Sequence, residues 1–495
     1  MGYPSRRERN LRGSALYFFL FACYGSVMPF LPLIWRSKGI SEHDIGILGA
    51  IRPLASFFVA PVACAFADRN NLQHQILLAA LVAYPLCLSF VLLAPTFLGV
   101  LAVQIAASLS ICPINSLIDS LVIRSSGTDG YNSQRRWGAV GFGIATLFGG
   151  YVSDSSDGKF WGIILLFLIL GATTFALSTT LTFGELEEAK AIVSSDDHGL
   201  SLGDSTSGSA TTSVSDSLVA TDFDDDKTLA LDGYGTQQPE QGEDGEAQKD
   251  EGEGVFRALR IILSSSESAT FFAGVALSGM GMGVIDTFLF IWVMDLGGNH
   301  FQCGLARTIM CMAEVPFFTA AGLLVKHVGV RGMVSMTQAG YLTRFIYYSV
   351  LRDPWWVLPA EVLHGLTFAT MWTASTTYAN EIAPENLHST FQGLVTGVHM
   401  GLGYGLGAVM GGIIYATFGA RRCFGLGTTL PSLSLTLLSL PTVRRWCSRY
   451  AARNQELGKS TIDTKAEYEL VDEEEAGQER DSDVGDGGDV AEEGR

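Results

Sequence analysis

Nine ionisable side chains lie inside long apolar stretches of this sequence, where a charge is expensive to bury. They are Arg52, Asp119, Asp286, Arg307, Glu314, Arg344, Glu361, His364 and His399. Carboxylates and imidazoles can take up and release protons, and arginine binds anions through a planar fork of donors. Each such group in a membrane-spanning helix costs about 3 kcal/mol on insertion scales. A group of this kind therefore indicates either a function or a structural ion pair.

The spacing of these residues predicts which of them share a helix face. Arg307 and Glu314 are seven positions apart, and Glu361 and His364 are three apart. We expect proton exchange to depend on Glu314 and His364, with Asp119 and Glu361 as further candidates. A carboxylate in the middle of an apolar run is the costliest to keep without a use, and histidine titrates near neutral pH. The alternative, a set of ion pairs that only holds helices together, stays open for the group as a whole.

Other residues are candidates for contact with a solute or for gating. Arginines would bind an anionic or polar solute, and an aromatic or acidic side chain could complete the site. The solute-binding candidates are Arg52, Arg307, Arg344, Asp286 and Trp372. The gating candidates are Asp68, Arg69 and Arg135, although anchoring at a membrane surface explains the arginines nearly as well. His399 lies in a glycine-rich run and is expected to be a satisfied packing residue.

The elements that carry these residues are apolar blocks of about the length that crosses a bilayer. We predict twelve membrane-spanning helices, because only helices with all backbone groups paired cross a bilayer at this length. They cover about residues 13–35, 45–69, 70–93, 97–118, 135–150, 160–183, 269–293, 301–325, 333–351, 355–382, 390–418 and 423–440. The fold class is thus an all-α membrane protein of two pseudo-symmetric six-helix bundles, 13–183 and 266–442.

Three further segments flank these bundles. Residues 1–12 form a short N-terminal tail, 184–265 an acidic loop that we expect to be disordered, and 443–495 an acidic C-terminal tail. Residues 185–253 contain 19 acidic and 3 basic residues, and residues 456–495 contain 15 and 4. The total charge of −18 therefore leaves about +9 for the rest of the chain.

A glycine pattern repeats half a chain apart and supports a duplicated unit. Gly-x-Gly followed by Gly-Gly occurs at Gly141, Gly143, Gly149 and Gly150, and again at Gly403, Gly405, Gly411 and Gly412. Small residues at this spacing let helices approach closely within a bilayer. We interpret them as packing positions and not as solute contacts.

Composition excludes several classes of protein. Basic stripes with interleaved aromatics are missing from the sequence outside the apolar blocks, so nucleic-acid binding is not expected. The 8 cysteines lack the paired spacing of metal ligands and are expected to be small buried hydrophobic residues. A set of metal ligands or nucleophiles placed at one depth is likewise missing from the sequence. We therefore expect no metal, no cofactor and no enzymatic activity, and we expect a monomer.

The distribution of lysine and arginine predicts the orientation in the membrane. With the N-terminus inside, the inner loops receive Arg69, Arg124, Arg135, Arg136, Lys326, Arg331 and the cluster at 444–453, and the outer loops receive Arg36, Lys38, Lys159, Arg352, Arg421 and Arg422. Both termini and the acidic loop are thus expected in the cytoplasm, where the loop and the tail could bind partners. Plasma membrane and endomembrane both remain open.

Several motifs resemble the major facilitator superfamily. Ala67-Asp68-Arg69 is similar to part of its loop signature, but Asn70 to Gln73 replace the glycine and basic pair expected next. Stronger matches resemble the branch of phenylpropionate-permease-like and nucleoside-symporter-like carriers, which also includes major facilitator domain-containing protein six. They are Asp119 with Tyr131, Arg135, Trp137 and Gly138, then 314–317, the run 363–369 with Trp372, Tyr378 and Pro384, and the run 390–393 with Gly401, Gly403, Gly411 and Gly412.

This resemblance implies alternating access between two bundles, often with proton symport. It supports roles for Asp119, Arg135, Glu314 and His364, and it does not cover the acidic loop or the tail. We therefore expect a secondary transporter of a small polar or organic-anion solute that is coupled to protons. The alternatives are a facilitative uniporter and a non-transporting membrane receptor or scaffold that acts through its acidic segments.

Overall fold

The computed structural model describes residues 6–156, 158–180, 247–384 and 387–439, without the side chains of 6–9, 124–132 and 247–253. The predicted C-terminal tail, 443–495, and residues 184–246 of the predicted acidic loop lie outside the described residues. Within these ranges the regular structure is helical, and no strand is found there. This agrees with the all-α fold class expected from the apolar blocks.

The described residues of the first half form six α-helices. They are α1 (Arg6–Val27), α2 (Leu31–Ser37), α3 (Glu42–Arg69), α4 (Gln73–Ser89), α5 (Phe97–Ser155) and α6 (Trp161–Thr179). A 3₁₀ turn, Met28–Phe30, joins α1 to α2.

The second half begins with a helix that lies inside the predicted loop. Its helices are α7 (Ala247–Ser264), α8 (Ser266–Asp295), α9 (His300–Val350), α10 (Val357–Glu361), α11 (Leu363–Ile382), α12 (His388–Thr396), α13 (Tyr404–Phe418) and α14 (Ala420–Gly427), and residues 429–439 are also helical. A π-helical segment, Gly397–Gly403, joins α12 to α13.

Polar side chains fix the starts of four long helices. Ser41, Thr96, Ser265 and Asn299 each accept a hydrogen bond from a backbone N–H in the first turn of α3, α5, α8 and α9 respectively. Such caps satisfy donors that the helix itself leaves unpaired. The apolar runs therefore become helices that begin at defined residues.

Helix α5, which covers Phe97–Ser155, must turn back on itself. Its 59 residues would span about 90 Å as a straight rod, roughly three times the hydrocarbon core of a bilayer. Asp119 Oδ2 and Arg135 Nη1 lie 2.8 Å apart, whereas a straight helix would separate these residues by about 24 Å. The chain therefore reverses direction between Asp119 and Arg135, as the predicted spans 97–118 and 135–150 require.

Helix α9 is divided by a glycine. Gly329 has φ 73° and ψ 162°, a left-handed conformation that glycine adopts without steric cost, and it interrupts the helix between its two parts. The break falls between the predicted spans 301–325 and 333–351. In the described part of the chain, eight helices are long and apolar enough to cross a membrane, and α5 and α9 are two of them. The count of twelve spans stays a prediction.

The two ends of the helices can be named by their residues. The Arg36 face contains residues 36–42, 92–97 and 295–300, where Lys38 Nζ donates to the carbonyl oxygens of Leu92 and Ala94 and Arg36 pairs with Asp295. The Asp119 face contains residues 10–13, 68–73 and 119–135, where Gln134 donates to Asn10. Helix α1 runs from the Asp119 face to the Arg36 face.

Two glycines of the repeated pattern lie where helices of the two halves touch. A methyl group at Gly150 of α5 would lie 2.3 Å from the carbonyl oxygen of His300 in α9. A methyl group at Gly412 of α13 would lie 2.8 Å from the carbonyl oxygen of Glu42 in α3. These distances confirm the interpretation of both glycines as packing positions, because no other side chain fits there.

The structure corrects the prediction of a disordered loop over 184–265 for its last part, residues 247–264, alone. Residues 247–264 form α7, and Ala258 and Ile262 of this helix are buried against the rest of the protein. The composition of the segment is dominated by acidic residues before 254, and this concealed the apolar residues that follow.

Candidate functional site

Glu314 and His364 form a direct pair between α9 and α11. His364 Nε2 lies 3.1 Å from Glu314 Oε1, and the side chain of Glu314 is 20% exposed while that of His364 is 4% exposed. The two residues are 50 positions apart in sequence, and the packing of α9 on α11 brings them together. The structure thus joins the two residues that the sequence singled out for proton exchange.

The neighbours of His364 determine which of its ring nitrogens carries the proton. His364 Nδ1 lies 3.2 Å from Arg344 Nη1. Arginine can only donate hydrogen bonds, so Nδ1 must accept and must be unprotonated. A neutral His364 then carries its proton on Nε2, from which it donates to the Glu314 carboxylate. In this arrangement Glu314 is the group open to protonation, and His364 is a neutral link to Arg344.

Arg344 and Glu361 form a buried ion pair that is enclosed by further hydrogen bonds. Arg344 Nη2 donates to Glu361 Oε2 at 2.9 Å, Nε to the Tyr348 hydroxyl at 3.0 Å, and Nη1 to Thr367 at 3.1 Å. The Tyr348 hydroxyl in turn donates to Glu361 Oε1 at 2.6 Å. The side chains of Arg344 and Glu361 are 1% and 0% exposed. This geometry favours a structural role for both residues over solute contact or proton exchange.

Arg52 lies at a small cavity between the two halves. The cavity has a volume of about 50 Å³ and is lined by Arg52, Gln104, Asp286, Thr287 and Tyr404 together with Trp35, other residues of α2, Gly49 of α3 and Met28 of the 3₁₀ turn. Among the described residues, Arg52 has no hydrogen-bond or ion-pair partner. Gln104 Oε1 is also buried without a partner in that part of the chain. The cavity thus combines a free guanidinium with a free amide oxygen.

Asp286 faces the same cavity, but its charge is already paired. Arg307 Nη2 lies 3.1 Å from Asp286 Oδ1, and the two side chains are 13% and 12% exposed. The Arg307 guanidinium also lies over the ring of Phe290, 5.8 Å from its centroid. Arg307 is therefore held by α8, which leaves Arg52 as the unpaired cation at the cavity.

The gating candidates lie at the Asp119 face. Tyr17 donates to Asp119 Oδ1, and Arg135 Nη1 donates to Asp119 Oδ2 at 2.8 Å. Asp68 accepts from Gln73 Nε2 at 3.0 Å, and both Asp68 and Arg69 are exposed. Asp119 and Arg135 therefore hold the two arms of α5 and α1 together, and Asp68 and Arg69 are not brought to them by any contact in the described structure.

Trp372 belongs to a row of rings along α11. Phe368 stacks on His364 with centroids 5.6 Å apart and on Trp372 with centroids 6.2 Å apart. The ring of His399 meets Trp372 edge-on at 6.5 Å. Within the described residues, neither ring nitrogen of His399 has a hydrogen-bond partner although the side chain is buried. The prediction of a satisfied packing residue was thus wrong about its hydrogen bonds.

Two clusters that join the halves at the Arg36 face were missed from the sequence. Arg36 Nη1 lies 2.7 Å from Asp295 Oδ1, and Tyr415 donates to Asp295 Oδ2 at 2.6 Å. Asp154 accepts from the backbone N–H groups of His300 and Phe301 at 3.0 and 2.8 Å, and its Oδ1 lies 2.8 Å from His300 Nδ1. These residues lie at the ends of apolar runs. An ionisable side chain costs little free energy there and is common, so the sequence does not single these residues out.

The described residues contain no group of three or more histidine, cysteine or acidic side chains that could hold a metal ion. The seven cysteines in these ranges are free, and Cys23, Cys112, Cys303 and Cys423 are buried.

Comparison with known proteins identifies the class to which this arrangement belongs. Residues 11–426 match the MFS_1 like family, so the chain belongs to that family of the major facilitator superfamily. The superfamily consists of membrane transporters and not of enzymes, which agrees with the expectation from the sequence.

Two relatives show the range of similar proteins. The maltose permease of Geobacillus stearothermophilus is 24% identical over 403 residues, covering 80% of this chain and 86% of the permease. The "Major facilitator superfamily domain-containing protein 6-like" of Danio rerio is 26% identical over 223 residues, 43% of this chain. That alignment spans 41% of the length of the zebrafish protein.

Solved structures support the same fold. The nucleoside transporter NupG matches with a TM-score of 0.65 at 15% identity, over 87% of this chain and 97% of NupG. A bacterial homolog of the human lysosomal transporter Spinster, in an inward-facing and unoccupied conformation, matches with a TM-score of 0.60 at 14% identity, over 89% and 97% of the two chains. The chain is therefore a multi-pass membrane protein with the major facilitator fold.

Proposed function

We propose that this protein is a proton-coupled symporter of a small organic anion, working by alternating access. The observation that carries the proposal is the unpaired Arg52 at a cavity between the halves, beside a second half that holds the titratable Glu314–His364 pair. An arginine without a counter-charge in a membrane protein suits a carboxylate or phosphate group of a solute. Secondary transporters of this kind bind their solute near the middle of the bilayer, between two repeats.

Electrostatics gives the coupling a direction. Glu314 has the most exposed side chain of the Glu314–His364–Arg344 chain, at 20%, so we place proton entry there. Protonation of Glu314 removes a negative charge from the half that faces Arg52, and this strengthens the binding of an anion. Because such coupling is reciprocal, the anion equally favours proton binding. Proton and solute therefore bind together.

The present conformation is the state closed at the Arg36 face. The Arg36–Asp295 and Asp154–His300 contacts join the halves there, and the cavity of about 50 Å³ is smaller than the roughly 300 Å³ or more of ordinary ligand sites. Transport requires these contacts to break and the cavity to widen. With the basic loops inside, the Arg36 face is the outer side and both termini are cytoplasmic.

The proposal is tested by ligand-induced stabilisation of the purified protein. A ligand that binds only the folded protein raises its stability by about 2.7 kcal/mol at 100 times its Kd. We expect mono- and dicarboxylates to raise the melting temperature more at pH 5.5 than at pH 8, and Arg52→Gln to abolish the shift. The panel also includes maltose and a nucleoside, since similar proteins carry those names.

The matched control is Arg422→Gln, which removes an exposed arginine of α14 that does not line the cavity. This variant should keep the carboxylate shift. Equal stabilisation of wild type and Arg52→Gln would remove Arg52 from the binding site. Stabilisation by a ligand without any difference between the two pH values would favour a uniporter.

A further inference from the structure

Among the described residues, helix α7 packs against the protein along one flank. It precedes the membrane-spanning helix α8 by a single residue, Ser265, at the Asp119 face. Ala258 and Ile262 are 0% and 4% exposed. Gly254 approaches Leu387 at the start of α12. This flank accounts for the position of the helix.

The next flank of α7 presents large apolar side chains that the described part of the protein leaves partly or largely exposed. Phe256 is 76% exposed and Leu263 is 71% exposed, and Leu259 lies between them with 37% exposure. Positions 256, 259 and 263 fall within about 60° on a helix of 3.6 residues per turn, so they form one stripe. A stripe of this kind beside a membrane-spanning helix fits the acyl boundary of a bilayer.

Two arginines border this stripe. Arg260 and Arg257 are exposed and lie about 40° and 100° from Phe256 around the helix axis. An amphipathic helix with an apolar stripe and flanking arginines matches an interface in which acyl chains lie below anionic headgroups. Since α8 begins one residue later, the bilayer surface is already beside α7.

The acidic segment of this chain is the competing occupant. Residues 185–253 carry 19 acidic residues and could pair with the arginines, but the segment is poor in aromatics and offers little to cover Phe256 and Leu263. A lipid leaflet offers acyl chains to the apolar stripe and anionic headgroups to the arginines. We propose that α7 lies in the membrane interface at the Asp119 face and holds anionic lipid headgroups through Arg257 and Arg260.

The first experiment identifies what covers the apolar stripe. Phe256→p-benzoylphenylalanine is introduced in the full chain, which is reconstituted in bilayers of phosphatidylcholine and phosphatidylglycerol and irradiated. We expect lipid adducts in the protein mass from position 256, and the same from position 263, because both lie on the apolar stripe. Crosslinks to residues 181–246, to a second copy of the chain, or to no partner would each overturn the proposal.

The second experiment tests the arginines. A surface arginine contributes about a fivefold preference for an anionic leaflet. In nanodiscs we expect phosphatidylglycerol to raise the melting temperature of the wild type by several degrees over phosphatidylcholine. Arg257→Gln with Arg260→Gln should lose at least half of this shift, and the charge-retaining Arg257→Lys with Arg260→Lys should keep it. An unchanged shift in the glutamine variant would contradict headgroup binding by α7.

Discussion

Glu314, His364 and Arg344 are linked by contacts, but their surroundings differ. Arg344 is enclosed by Glu361, Tyr348 and Thr367 and has no donor directed to the cavity lined by Arg52. Glu314 has one strong partner and a side chain that is 20% exposed. Removing the carboxylate of Glu361 should therefore affect stability, whereas removing that of Glu314 should affect proton coupling.

Neutralising Glu361 should lower stability. Breaking one partner of a buried ion pair costs about 3–5 kcal/mol, because the other charge stays buried without compensation. We expect Glu361→Gln to lower the melting temperature in detergent by many degrees. The control is Glu381→Gln, which changes an exposed carboxylate of α11 and should leave the melting temperature unchanged. A Glu361→Gln protein with wild-type stability would show that Arg344 does not depend on this pair.

Replacing His399 by leucine should raise stability. Both ring nitrogens lack a partner within the described residues, and a buried polar atom left unpaired costs about 1–3 kcal/mol. Leucine has a similar volume and no polar atoms, so His399→Leu is expected to melt at a higher temperature than the wild type. A clear fall in melting temperature, measured under the same conditions, would mean that the imidazole has partners in solution.

At the scale of elements, the helix ends decide which side of the molecule is closed. Asp154 at the end of α5 accepts from the first N–H groups of α9, and Arg36 at the end of α2 pairs with Asp295 at the end of α8. A carboxylate at a helix N-terminus is stabilised by the unpaired donors and by the helix dipole. These contacts link one half to the other at the Arg36 face, and the residues that form them lie at helix ends.

Removing the Asp154 carboxylate should open the Arg36 face. Cys303 is fully buried one turn beyond His300 and serves as a native reporter. In Asp154→Ala we expect faster labelling of Cys303 by a membrane-impermeant maleimide. The rate should rise roughly tenfold if the free energy that favours the closed state falls by about 1.4 kcal/mol. Peptide mapping separates Cys303 from the other cysteines.

Asp353→Asn provides the control for this labelling. Asp353 lies at the same face, but it caps its own 3₁₀ turn by accepting from Trp355 N–H and joins no helices of the two halves. Its labelling rate should equal that of the wild type. Equal rates in Asp154→Ala and wild type would show that Asp154 does not hold the Arg36 face closed.

At the scale of the whole molecule, the sequence predicts the spans better than the contacts between them. Apolar length and glycine spacing are local properties, and the predicted reversal within α5 and the break in α9 follow from them. Glu314 and His364 could be singled out because a charge inside an apolar run is conspicuous. Their pairing at 3.1 Å depends on how α9 packs on α11 and has no local signal.

The Arg36 face and α7 illustrate what the sequence conceals. Asp154 and His300 are 146 positions apart and both lie beside polar loops, where ionisable residues are common. Helix α7 follows a long acidic segment, so an average over 184–265 hides the repeat of Phe256, Leu259 and Leu263. In both cases the decisive information is the packing of distant helices.

The most direct test of the central claim is uptake driven by a proton gradient in proteoliposomes that contain a pH-sensitive dye. With the carboxylate that best stabilises the purified protein, we expect an inward proton gradient to raise wild-type uptake at least tenfold, with proton entry alongside the solute. Glu314→Gln should lose gradient-driven uptake and keep exchange of internal for external solute. Full gradient-driven uptake by Glu314→Gln, or wild-type uptake indifferent to the gradient, would contradict proton coupling through Glu314.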